Sequence, residues 1–389
     1  MQIVEGKLVL SASDLVGYLE CAHLTGLDHS AALGRLRAPM GDDPQLELIR
    51  RHGAQHESAY LERLEREGLR VVRIARPTLT LTGLRAAHQQ TLAAMRAGAE
   101  VISQAAFFDG RWLGYADFLL RRDRSSSLGD WAYDVADTKL ARRVRAGALL
   151  QMCVHAEHLE RAQGTPPEQL IVIAGDGVEH TQSFDGVAAF YRSVKRSFEA
   201  ALRVAPETYP LPVGHCDVCR WTEVCARRRR DDDHLSLVAF MTREQARKIS
   251  AAGVTTVAAL AAGDPDHIAR LGDPTYERLR AQARLQVAQR SGTQVGHELA
   301  TVEANRGLAL LPQPSGGDLF FDMEGDPFAA EGGLEYLFGV TEVVLGTPEH
   351  RTFWGTGTER EKCAFEDFID FVMERLAADP SLHVYHYAP

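Results

Sequence analysis

The residues best suited to chemistry lie in Trp131-Ala-Tyr-Asp-Val-Ala-Asp-Thr-Lys139. Read as a strand with period two, this run projects Asp137 and Lys139 from one face and Asp134 from the other. A carboxylate beside an ammonium can hold a divalent cation and steady an attacking water or a developing oxyanion. The triplet Asp137-Thr-Lys139 alone says little, since an exposed strand with a surface ion pair looks the same. Its company is more informative. Gly110-Arg-Trp-Leu-Gly-Tyr-Ala-Asp-Phe-Leu-Leu120 reads as an apolar strand broken by one acid, Asp117, and Asp109-Gly110 is a hairpin signal joining it to residues 100–108. A second hairpin through residues 122–129 lays the Asp137 strand alongside. That brings Asp117 and Asp137 together, as Mg2+ or Mn2+ with few protein ligands and several waters requires.

Two helices must flank these strands. Downstream, Gln151-Met-Cys-Val-His-Ala-Glu-His-Leu159 has helical spacing, with Leu149, Met152, Ala156 and Leu159 on one flank and Gln151 and His155 sharing a face. Upstream, Gly53-Ala-Gln-His-Glu57 falls in a helix predicted over residues 44–67, where Gly53, His56, Tyr60 and Leu64 form one stripe and turn His56 inward. A lone inward histidine also occurs as a hydrogen-bonded core residue.

The order Gly-x-x-His, Gly-x-x-Asp, Asp-x-Lys and a helix-borne Gln resembles the RecB-type branch of the PD-(D/E)XK nucleases. The resemblance implies that His56, Asp117 and Asp137 are metal ligands or their supports. It makes Lys139 the partner of the nucleophilic water or scissile phosphate, and Gln151 the accessory glutamine of the last motif. Family members commonly carry tyrosine four residues after that glutamine; His155 stands there in this chain.

The chain has six cysteines. Without a signal peptide they read as metal-binding or free thiols rather than disulfides. Cys216, Cys219 and Cys225 have the spacing C-x2-C-x5-C, and Cys21 stands about two hundred residues earlier, in a helix predicted to start at Ser11 or Ser13 and to turn Leu15, Leu19, Leu24 and Leu27 inward. One distant thiol completing a trio suits a [4Fe-4S] cluster closed by the fold. Zinc held by the trio with Cys21, His215 or His234 is the alternative. One early and three late cysteines also resemble the iron–sulfur staple of several RecB-type nucleases. Cys153 and Cys363 are predicted to be core residues.

Composition sets the frame. The 389 residues, 45% hydrophobic and 25% charged, are ordinary globular material with room for two or three domains. No apolar run is long enough to cross a membrane, so the expectation is a cytoplasmic protein with no membrane partner. The net charge of −10 argues against a general polyanion binder, but between residues 111 and 147 eight Lys/Arg face five Asp. There Arg121, Arg122, Arg124, Arg142, Arg143 and Arg145 are placed to follow a phosphate backbone, or to be a solvated loop and helix start.

The expected organisation is α/β. Residues 1–230 form a PD-(D/E)XK (restriction-endonuclease-like) nuclease core with the iron–sulfur staple. A charge block, Arg227 to Arg230 then Asp231 to Asp233, is read as a solvated hinge. Residues 231–305 form a helical linker module, whose Gly253-Val-Thr-Thr-Val-Ala-Ala-Leu260 resembles helix-hairpin-helix elements. Residues 315–389 begin with Leu319-Phe-Phe-Asp-Met-Glu-Gly-Asp326, a strand carrying Asp322 and Glu324 on one face, with Leu319 to Phe321 expected to bury it. This resembles the first motif of RNase H-like, DEDD-type exonucleases, a partial domain that implies a longer polypeptide continuing into a superfamily-1 type helicase. The sequence contains no Walker A motif. The function expected is metal-dependent cleavage of DNA in repair, recombination or defence, with [4Fe-4S] and Mg2+ or Mn2+ as cofactors. The alternative is a non-catalytic nucleic-acid-binding module on the same fold. RNA stays open as a substrate, because no identified residue reads a 2′-hydroxyl.

Overall fold

The computed structural model describes residues 1–39, 44–292, 296–299, 301–329 and 332–387. The chain divides into two compact units, Met1–His297 and Glu298–Pro389. Both are mixed α/β. Among the described residues no helix is long and apolar enough to cross a membrane.

The first unit opens with a hairpin, β1 (Gln2–Val4) and β2 (Lys7–Ser11), followed by helices α1 (Ala12–Glu20), α2 (Ala22–Ala32) and α3 (Pro44–Arg66). Next come β3 (Val71–Arg73), α4 (Leu81–Arg96), β4 (Val101–Phe108), β5 (Trp112–Arg122) and β6 (Ala132–Thr138). Helix α5 (Ala146–Gln163) crosses over to β7 (Gln169–Ile173), and β8 (Glu179–Ser183) and α6 (Phe184–Val204) complete the layer. The sheet runs β1-β2-β5-β6-β7-β8, with β4 on β5 and β3 on β4.

Strand β5 is the axis of this sheet. The antiparallel partner β4 takes one of its edges over residues 113–120. The other edge is shared: β2 pairs in parallel at Trp112 and Leu113, and β6 pairs antiparallel from Phe118 to Arg122. β5 therefore forks, and Asp117 stands where the β6 ladder stops. Strands β4 to β7 are apolar nearly throughout because both faces are covered. On one face Phe107, Leu119, Tyr133 and Val135 meet α4, α5 and α6 through Met95, Leu150 and Phe198. On the other, Tyr60 and Leu64 of α3 pack on Phe118, Ala136, Ile171 and Ile173. The inward stripe of α3 is thus borne out. Helix α5 ends on Gly164, whose φ of 72° is the left-handed conformation that closes helices at least cost to glycine.

The expected first helix is two helices. Cys21, extended at φ −158° and ψ 108°, breaks it into α1 and α2, so the face changes: Leu15 is buried, but Leu19 is 41% exposed. Asp14 accepts from the Ser11 N–H at 2.7 Å and its hydroxyl at 2.9 Å, which fixes the start of α1.

Helices α7 (Thr222–Asp231), α8 (Arg243–Ala251), α9 (Val257–Ala262) and α10 (Asp273–Ser291) follow. The last three bury their own core of Leu235, Ile249, Val257, Leu260, Tyr276 and Leu279. The charge block is no hinge. It is mostly the end of α7, and Asp233 accepts from the Ala258 N–H at 2.8 Å and pairs with Arg290 at 2.5 Å. Arg229 donates to the Pro210 carbonyl at 2.8 Å.

In the second unit β9 (Leu319–Asp326), β10 (Leu334–Val344) and β11 (Thr347–Trp354) form an antiparallel meander; α11 (Thr358–Ala378) then returns the chain so that β12 (Val384–His386) lies parallel to β9, in the order β11-β10-β9-β12. Leu319, Phe338, Val340, Phe368 and Phe371 make its core.

Candidate active site at the fork of the central sheet

The β5–β6 register pairs Phe118 with Ala136 and stops there, which leaves Asp117 and Asp137 facing one another as the next pair. In place of a backbone bond, the Asp117 carboxylate accepts through one oxygen from both the Thr138 N–H and the Thr138 hydroxyl, each at 2.9 Å. Asp137 is 1% exposed, and its Oδ2 forms an ion pair with Lys139 Nζ, while its Oδ1 has no hydrogen-bond partner. Burial, and then the neighbouring Asp117 carboxylate, push the Asp137 pKa well above the usual carboxylate range, against the pull of Lys139. The predicted Asp117, Asp137 and Lys139 are therefore one cluster.

Asp134, expected on the other face, has separate work. One oxygen accepts from the Glu168 and Gln169 N–H groups at 2.9 and 3.2 Å, and the other pairs with Arg122 at 3.2 Å. That fixes the entry of β7 beside β6.

His56 reaches this end of the sheet from α3. Its Nε2 lies 3.2 Å from the Ile173 carbonyl, which also accepts from the Lys139 N–H at 2.9 Å. A carbonyl can only accept, so Nε2 is the donor in this bond, and Nδ1 is the nitrogen left outside it. Metal-binding histidines are commonly oriented by a backbone carbonyl in this way.

Gln151 and Lys139 line one cavity of about 450 Å3 between α1 and the β6–α5 connection. Arg143 and Arg145 are on its wall, as are Leu24, Asp28 and His215 from the cysteine end of the unit. Its acid Asp28 is already engaged, by Arg220 at 2.6 Å and by the Trp221 indole N–H at 2.7 Å.

His155 is no tyrosine substitute at the cavity. It is fully buried with both ring nitrogens unpartnered, and a Cβ on Gly114 would come within 2.5 Å of its Nδ1. Burial pushes its pKa down to about 3. His158, one turn on, stacks on Phe107 with centroids 5.6 Å apart, and burial lowers it to about 4.

The six arginines divide. Arg121 donates to the Gly98 carbonyl, Arg122 pairs with Asp134, and Arg124 bonds the Pro166 carbonyl and Glu168. Those three hold the fold. Arg142, Arg143 and Arg145 are exposed, and the latter two line the cavity.

Cys21, Cys216, Cys219 and Cys225 line one small cavity of about 20 Å3 with Trp221 and Arg229, and all four are free thiols. Burial and the neighbouring thiols raise Cys219 and Cys225 above the ordinary thiol range. Protein contacts also hold α2: Asp28 to this turn as above, and His23 Nδ1 against Thr208 Oγ1, in the segment that leads to it, at 2.8 Å. Cys153 is buried as expected, but Cys363 is exposed on the outer face of α11, a correction.

In the second unit Asp322 and Glu324 share a face of β9, and both are exposed. Among the described residues Asp322 accepts only from the next residue's N–H, at 3.0 Å. Leu319 is buried, whereas Phe320 is half exposed, so the apolar run covers the strand less than expected. Among the described residues no group of three or more His, Cys, Asp or Glu is arranged to hold a metal ion.

Sequence reasoning missed one residue at the fork, Glu57. It follows His56 on α3, is half-buried, and accepts from Gln104 Nε2 at 2.6 Å. Burial and then Asp117 raise its pKa, while Gln104 and Lys139 oppose the rise. Its position directly after the inward histidine was the available signal. No protein-family model matches this chain, and no curated protein matches it.

Proposed function

We infer that the first unit is a metal-dependent nuclease of the PD-(D/E)XK type, acting on DNA. The observation that carries this reading is the crowded pair Asp117 and Asp137 at the sheet fork, Asp137 fully buried and Asp117 partly so, with the Lys139 ammonium on Asp137. Burying a charge without full hydrogen bonding is costly and tends to mark function. The donor types suit a hard divalent cation, carboxylate oxygens, one of them with no hydrogen-bond partner, and an imidazole oriented through its far nitrogen, although among the described residues these side chains are not gathered around one point.

Asp117, Asp137 and His56 would hold Mg2+ or Mn2+, which supplies an acidified water and offsets charge on the phosphate. The protein's own groups do the rest. The Lys139 Nζ group donates toward the attacking water or a phosphate oxygen. Thr138 holds Asp117 through two hydrogen bonds, so that carboxylate needs no reorganisation. Gln151 offers an amide to the strand lying in the cavity, and Arg142, Arg143 and Arg145 attract its phosphates.

The four thiols fit a thiolate-held group. Tetrahedral zinc, with Zn–S of about 2.3 Å, draws its sulfurs to within about 3.8 Å of each other. A four-iron cube gives each thiolate a different iron and spaces them wider. Four free thiols lining one space suit either group; [4Fe-4S] is the reading taken, with zinc as its alternative. Its role would be to fasten α2 to the turn at residues 216–225.

The test is cleavage of end-labelled single- and double-stranded DNA, and of RNA, with Mg2+ and with Mn2+. The wild-type chain should cut, and Asp117→Ala should not. Equal cleavage by both proteins would sink the reading.

A further inference from the structure

One residue beside the fork has a backbone conformation that its sequence neighbours do not explain. Gln104 sits mid-strand in β4 with φ 55°, the left-handed region that non-glycine residues rarely enter. The β4–β5 register is continuous on both sides, Ser103 with Phe118 and Ala105 with Ala116, and only the Gln104–Asp117 pair drops out. The chain thus gives up a rung in the middle of its most buried sheet, at the residue opposite Asp117. Such strain costs about 1–3 kcal/mol and persists where the surroundings require it. What the distortion gains is visible: the Gln104 amide donates to Glu57 Oε1 at 2.6 Å.

We propose that Glu57 is a third carboxylate of the divalent-cation site and that Gln104 is the positioning residue that aims it. This inference rests on the nuclease reading. Gln104, Asp117 and Asp137 lie in line across β4, β5 and β6, and Glu57 descends on that line from α3. Gln104 takes one oxygen of Glu57, and among the described residues no donor takes the other. The fully buried Asp137, with Oδ1 unpartnered, is the independent sign that a cation belongs there. Three carboxylates against one lysine are unstable without added positive charge, and a divalent ion supplies it.

Mn2+ binding to the full chain, followed by the loss of the free-ion electron paramagnetic resonance signal, is the test. Glu57→Gln keeps the shape and the Gln104 contact region, and it should weaken Mn2+ at least tenfold while the unfolding temperature without metal holds or rises. Gln104→Gly removes both strain and amide; it should lower Mn2+ affinity roughly 10- to 100-fold, the usual cost of losing an outer-sphere partner, without lowering that temperature. A merely structural role would give the reverse, loss of stability with unchanged affinity. Wild type that binds and variants that bind within twofold of it would overturn the Glu57 assignment alone. Wild type that binds no Mn2+ would remove the nuclease reading with it.

Discussion

Two pairs of strand-borne acids, one in each unit, look alike in the sequence and differ in the structure. Asp117 and Asp137 are brought face to face from separate strands, one of them 1% exposed, with a lysine and a histidine converging on the same end of the sheet. Asp322 and Glu324 sit two apart on one strand and face solvent. Two acids on one strand cost nothing when hydrated. Two acids from different strands, desolvated together, cost several kcal/mol unless a cation completes them. Burial from two directions, rather than acidity, separates the regions.

The largest expected effect that tests this contrast is on catalysis. Lys139→Ala should lower Mg2+-dependent cleavage by about 10²- to 10³-fold, the loss typical of removing one preorganised electrostatic group. Changing Asp322 and Glu324 together to alanine should leave cleavage by the first unit within about twofold. Equal losses from both changes, in the same assay, would erase the distinction.

Next is the response to acid. His155 and His158 are buried neutral at about 3 and about 4, whereas an unfolded histidine titrates near 6.5. Between those values the unfolded chain binds more protons. Stability is therefore whole above about pH 6.5 and falls as the pH drops, by about 1.4 kcal/mol per pH unit for each histidine, until the folded value is reached. Urea midpoints of the first unit's transition at pH 7 and pH 5 check this, and His155→Leu should flatten the slope by one proton. The second unit has no histidine buried in this way among its described residues, so its transition should not share this dependence.

Asp28→Ala should cost about 1–3 kcal/mol, because it leaves the buried Trp221 indole N–H and Arg220 without their acceptor. Calorimetry of the reduced, metal-free protein isolates this contact from the thiols. The smallest effects have opposite character in the two regions. Asp137→Asn should raise the unfolding temperature by a few degrees at neutral pH, since burial disfavours the charge it removes. Asp322→Asn should change stability by no more than about 0.5 kcal/mol.

Much of the first unit was legible in advance. The Asp109-Gly110 turn, the second hairpin and the apolar runs specify β4, β5 and β6, and period two then places Asp137 with Lys139. The four cysteines were legible from spacing. Cys21 as a helix break was not, since Leu15, Leu19, Leu24 and Leu27 keep helical spacing while the backbone does not. Gln104 was not legible either: nothing local asks a glutamine between Ser103 and Ala105 to adopt positive φ, and the demand comes from Glu57 on another element. His155 was misleading because helical spacing gives it the face of Gln151, but the close approach of Gly114 draws its ring into the core. Arginine side chains likewise reveal their carbonyl and carboxylate partners only in three dimensions, which is why Arg121, Arg122 and Arg124 read as a binding track.

The cavity shared by Lys139 and His215 has a consequence for synthesis. Chains fold as they emerge, N-terminal parts first. A ribosome-bound chain that has released residues up to Ile173 holds every strand of the fork and all the acids, yet the wall carrying His215 has not left the tunnel. On the nuclease reading the acids would be in place early, while the cavity beside them stayed open on one side until His215 emerged. A nascent chain would then present no finished substrate cavity until that late segment had folded.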